Sequence, residues 1–279
     1  MDGAARLRLL QALQVFLLAV RRRRTEHETD RLLFRLGGLA DPELRLHRFG
    51  EHLRARTPEV AAWTLALLWD RVAAGDRPAQ TVCFGLLDFR RLIRVLGAGR
   101  LEALQAILEA EGHPSAGLFA SSTARVDLQD QEMAPRPKEP VGFRISLARR
   151  PVPTVVDRLL LDPDVRVIRT LLGNPRLTEA DVVKIAASRH ATAEVLEVIA
   201  EDGRWIGRYP VKVALASNPT TPLRVVVGLL PYLLQQDLRA MADGSSRADV
   251  REQAAALLSR RSGGRTQSGR GVGCYGLGK

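Results

Sequence analysis

Two proline-marked boundaries, Asp162-Pro163 and Asn174-Pro175, enclose a stretch with room for one short helix, and this punctuation recurs along the chain. An aspartate side chain can accept a hydrogen bond from a free first-turn N–H, and proline at the first helical position gives up no hydrogen bond. At the far end Gly173 and Asn174 tolerate left-handed backbone, and Pro175 disfavours helix at the residue before it. Between the boundaries Val165, Ile168, Leu171 and Leu172 fall on one helical face. The expected element is a helix of about three turns or less, capped by Asp162 with Pro163 in its first turn.

The segments that follow repeat this grammar. Thr178-Glu179-Ala180-Asp181 has the form of a capping box ahead of Val182, Ile185 and Ala186, and Thr192 precedes Leu196, Ile199 and Ala200 in the same way. Asn218-Pro219 returns 44 residues after Asn174-Pro175, and Asp249-Val250-Arg251 returns 85 residues after Asp164-Val165-Arg166. Further upstream, Asp41, Pro42, Arg45 and Arg48 match Asp162, Pro163, Arg166 and Arg169 at a constant offset of 121, and Thr57 matches Thr178 at the same offset. Helical periods near 40 residues are the mark of stacked-repeat architectures. On these residues the stretch 155–258 resembles bacterial HEAT-like repeats and the leucine-rich-repeat variant, with a fainter likeness at 39–68. The resemblance implies an all-α fold: an α-solenoid of HEAT-like repeats, with a helical N-terminal part and a disordered C-terminal tail. The variant family carries a cysteine-rich iron–sulfur segment, and this chain has no such segment, so the resemblance brings no cofactor.

Composition divides the chain further. Residues 1–113 read as successive helices, with stripes such as Val60, Trp63, Leu67 and Leu68. Residues 114–151 turn to Ser, Pro and charge, as in a linker or an ordered insertion in which 142–147 could pair as a strand. Repeats are expected over 152–261 and a disordered basic tail over 262–279. Leu9–Val20 is apolar but too short to span a bilayer, and Arg21–Arg24 follow it. It is expected to cover one end of the helical core; contact of Leu9–Arg24 with an anionic membrane surface is the weaker alternative. The net charge of +11 does not lie on the repeats, because 151–258 carries 13 basic and 13 acidic residues while 259–279 carries five basic and no acidic ones. That distribution weakens a nucleic-acid clamp built on the repeats themselves.

Motifs for chemistry are missing. The run Gly271-Val272-Gly273-Cys274-Tyr275-Gly276 has dinucleotide-binding lettering without the strand and helix that the pyrophosphate needs. The five histidines have no metal-ligand spacing, and neither a P-loop nor a nucleophile elbow occurs. Cys83 and Cys274 form no motif, which fits a reducing cytoplasm. The expectation is a non-enzymatic, cytoplasmic scaffold or adaptor that binds a protein partner through an extended solenoid surface, without metal or cofactor. The alternative is a nucleic-acid-binding repeat protein using the basic N-terminal segment and tail. The candidate partner-binding residues are Arg166, Arg169 and Arg251, a possible arginine ladder with Arg45 and Arg48, and Arg204, Trp205, Arg208 and Tyr209, where aromatics and arginines meet at a helix entry. Each set has a packing alternative: aspartate pairing between repeats for the first, a repeat junction for the second.

Overall fold

The structure is a computed structural model that describes residues 20, 22–84, 89–119, 137–150 and 153–267. The described residues are helical or irregular, with no strand among them. The chain forms two compact units, Met1–Phe119 and Ala120–Lys279.

The first unit contains α1 (22–37), α2 (Pro42–Arg54), α3 (Pro58–Ala73), α4 (Arg77–Cys83), α5 (Phe89–Leu96), α6 (Ala98–Ala110) and a 3-10 turn, Pro114–Phe119. Asp41 caps α2 by accepting from the Glu43 N–H at 2.8 Å, with Pro42 opening the helix as expected. Asp76 caps α4 by accepting from Ala79 N–H. Helix α3 lies at the centre, packed on α4 and α6, while α2 packs on α5. The stripe expected on α3 is rotated: Ala61, Ala62, Leu65, Leu68, Trp69 and Val72 are buried, while Val60, Trp63 and Leu67 are partly exposed. Trp63 turns its Nε1–H to Glu111 instead. Helices α2 and α5 meet at Gly50, where an added Cβ would stand 1.8 Å from Val95 Cγ1.

The second unit contains α7 (Val141–Arg149), α8 (Pro153–Leu160), α9 (Val165–Leu172), α10 (Glu179–Ala187), α11 (Ala193–Glu201), α12 (Gly203–Ile206), α13 (Tyr209–Ser217), α14 (Leu223–Leu229), a 3-10 turn (Leu230–Tyr232), α15 (Gln235–Gly244) and α16 (Ala248–Gln267). The expected stripes form its core: Ile168, Leu171, Leu172, Val182, Ile185, Leu196 and Ile199 are all buried. Thr178 and Asp181 make the reciprocal capping box, and Thr192 caps α11 by accepting from Val195 N–H. Three expectations are revised. Helix α7 occupies part of the segment read as a linker or an ordered insertion, and 142–147 is helical rather than a strand. Helix α16 continues past Arg261 to Gln267, into the stretch read as tail. The cap of α9 is Asp164, not Asp162, and Pro163 precedes the helix. Asp162 is 6% exposed, accepts from Asp164 N–H and pairs with Arg144, itself 7% exposed. The offset of 121 therefore aligns a cap, Asp41, with a buried ion-pair residue. Residues 1–19 and 268–279, with Leu9, Cys274 and the Gly271–Gly276 run, lie outside the described residues.

The 44-residue recurrence has a physical basis. Asn174 Nδ2 donates to the Ala148 and Arg149 carbonyls at the end of α7, and its Oδ1 accepts from Arg176 N–H. Asn218 Nδ2 donates to the Ala186 and Ser188 carbonyls at the end of α10, and its Oδ1 accepts from Thr220 N–H. Each asparagine follows a helix that packs on the one whose end it closes, α9 on α7 and α13 on α10. Helix ends carry carbonyls without intrahelical donors, and one amide satisfies two of them.

Arginines do the same work elsewhere. Arg45 donates to the Leu36 and Leu39 carbonyls, Arg100 to Leu53 and Arg56, Arg247 to Pro219 and Thr221, and Arg261 to Pro231 and Leu233. A guanidinium offers two or more N–H donors in a fixed plane and a charge that suits the negative end of a helix dipole.

Candidate functional site

The side chains singled out in the sequence divide between packing and surface. Trp205 is 3% exposed, and its Nε1–H donates to the Leu172 carbonyl at the end of α9. Arg204 lies 4.3 Å above the Trp205 ring and reaches the Asn174 carbonyl. Tyr209 donates its hydroxyl to Asp237 and accepts from Leu234 N–H at 2.9 Å, tying α13 to the start of α15. Arg208 stands 3.7 Å from Glu179. The contacts of this group run to other elements of the same unit.

The arginines singled out have separate partners. Arg166 folds back on Asp164 in a two-point pair at 3.0 and 2.8 Å, and that hydrogen bond holds the Asp164 carboxyl below the usual range. Arg251 donates to the Ser245 carbonyl, Arg48 pairs with Glu51, and Arg45 closes a helix end. Arg169 is exposed and has no ion pair among the described residues.

The first unit brings together Asp70, His113 and Ser115, which sequence reading did not connect. His113 Nε2 lies 3.4 Å from Asp70 Oδ1, and Nδ1 lies 2.8 Å from Ser115 Oγ. The arrangement has the members of a hydrolytic triad but not its access. Ser115 is 0% exposed, and His113 Nδ1 already accepts the Ser115 backbone N–H at 3.2 Å, which places the ring proton on Nε2, facing Asp70. His113 makes a T-shaped contact with Trp69 and closes the start of the 3-10 turn. Burial pushes the Cys83 thiol up to about 12. Among the described residues no cluster of three or more His, Cys, Asp or Glu side chains is placed to hold a metal, and no helix is long and apolar enough to cross a membrane.

Among the described residues, one feature of the second unit open to a ligand is a trough of about 600 Å³. One wall is the end of α10, with Ala187 and Arg189; the other is the face of α15, with Ala240 and Met241, continuing through Gly244 to Ser246. Its floor is α13, through Val213, Ala214 and Ser217. Ala187, Ala214, Ser217, Ala240 and Gly244 leave room in the trough, and Asn218 and Tyr209 tie its elements together. Its volume lies in the range of ligand-binding clefts, roughly 300–1,000 Å³. Small residues have no period of their own in the sequence, so the trough had no signal there. A second, smaller hollow of about 310 Å³ lies between α8, α9 and α10, around Asn174 and Leu177.

Compared with known protein families, curated proteins and solved structures, the chain matches none.

Proposed function

We propose that the second unit is a HEAT-like helical-repeat module whose task is to bind a segment of a protein partner, as a scaffold or adaptor rather than an enzyme. The observation that carries this reading is the open trough whose walls and floor come from three helices. The recurrence of the asparagine clasp after 44 residues supports the repeat assignment. Stacked repeats suit such a role because their surfaces are built from rigid elements held in fixed spacing. Basic side chains that could have served nucleic acid, among them Arg247, Arg251 and Arg261, are committed to backbone carbonyls.

The test is a selection of randomised heptapeptides displayed on phage against the full chain, with Ala214→Trp and Ala240→Trp as counter-targets. Either tryptophan fills the trough, and Ala240 is exposed, so that variant keeps the core intact. Peptides enriched on the wild type should be lost on both variants, whose circular dichroism matches the wild type. Enrichment that survives both substitutions would place binding elsewhere.

A further inference from the structure

The polar groups around the trough are unequally committed. Asn218 spends its amide on the Ala186 and Ser188 carbonyls and its oxygen on Thr220 N–H. Asp237 accepts the Tyr209 hydroxyl. Ser245 accepts Arg247 N–H at its Oγ and Arg251 at its carbonyl. Arg189 is different: it is exposed, lies on the wall of the trough, and has neither an ion pair nor a side-chain hydrogen bond among the described residues. Its position explains why. Arg189 stands just past the end of α10, and Asn218 already satisfies the Ala186 and Ser188 carbonyls there. The guanidinium is left over and faces solvent beside an apolar floor.

We infer that the segment accepted by the trough is an acidic peptide, one of whose carboxylates pairs with Arg189 while a small apolar neighbour lies on Val213 and Ala214. This rests on the trough being the binding site. The complementarity is specific in kind. A guanidinium matches a carboxylate with two parallel N–H···O bonds, and Ser217 and Ser246, which line the same trough, carry hydroxyls that can donate as well. A nucleic acid strand fits less well, since no aromatic ring lines the trough for base stacking. A basic peptide would set its charge against Arg189.

The experiment extends the heptapeptide selection. Sequences enriched on the wild type and lost on Ala214→Trp should carry Asp or Glu at one fixed position, with Ala, Val or Leu beside it. The best of them, made as a synthetic peptide, should bind Arg189→Glu at least about tenfold more weakly and should weaken on the wild type as salt rises. Arg189→Lys should retain part of the affinity. Trough-dependent peptides that are neutral or basic, or that bind Arg189→Glu as tightly as wild type, overturn the acidic assignment and leave the trough standing. Peptides indifferent to Ala214→Trp and Ala240→Trp, or no enrichment at all, overturn the trough itself.

Discussion

Replacing Asp162 by Ala strands the Arg144 guanidinium in a site where it is 7% exposed. A buried charge that loses its partner costs about 3–5 kcal/mol, and urea denaturation of the Asp162→Ala protein should show a loss of that order. Asp164, two residues on, is a cap on the surface of the same loop; Asp164→Ala should cost about 1 kcal/mol. Its pH dependence has a definite sign. Arg166 holds the folded-state carboxyl below the unfolded value of about 3.9, so its contribution is complete above that pH and is lost as pH falls through the folded value. Asp164→Asn keeps the cap and removes this titration, so its stability should fall less steeply below about pH 4 than that of the wild type. These two aspartates also mark where sequence reading reaches its limit. Either can cap a helix, and only Arg144, 18 residues upstream, decides that Asp162 is the buried one. Thr178 and Thr192 were legible because a capping residue and its target lie within one turn. Trp205 and Tyr209 were found as notable but not placed, because the groups their polar tips meet, the Leu172 carbonyl and Asp237, come from other elements.

At the scale of elements, the two asparagine clasps can be compared. Asn174→Ala and Asn218→Ala each remove a donor shared by two helix-end carbonyls, and a buried acceptor left unsatisfied costs about 1–3 kcal/mol. Each variant should lose about 2 kcal/mol in chemical denaturation, and the double variant should lose close to the sum because they share no partner. Asn218→Asp should be worse than Asn218→Ala, since it sets a carboxylate against carbonyl oxygens. The Asn-Pro spacing was visible as punctuation, yet its function as a tie between non-adjacent helices was not, since the carbonyls that it closes carry no side-chain signature. The α2–α5 contact gives a further test. Gly50→Ala drives a methyl into Val95 and should cost about 1–3 kcal/mol despite the better helix propensity of alanine. Val95→Ala in the same chain opens the space, and the pair should be more stable than Gly50→Ala alone.

The whole molecule holds two cores, one around Phe49, Leu68 and Leu104, the other around Ile168, Leu196 and Leu215. Differential scanning calorimetry should therefore resolve two transitions. Asp162→Ala should lower one and Gly50→Ala the other; a single transition moved by both would show one cooperative unit instead. The ties that close helix ends share a direction along the chain. Arg100 reaches back 47 residues to Leu53, Asn174 reaches back 26 to Ala148, Asn218 reaches back 32 to Ala186, and Arg261 reaches back 30 to Pro231. Arg45, Arg204, Trp205 and Arg247 also bond to carbonyls that precede them. Since a ribosome delivers the chain from its N-terminus, each of these helix ends emerges open and is sealed only when a later stretch has been synthesised. The molecule is thus fastened in the order in which it is made, and a chain that stops early leaves its newest helix unlatched.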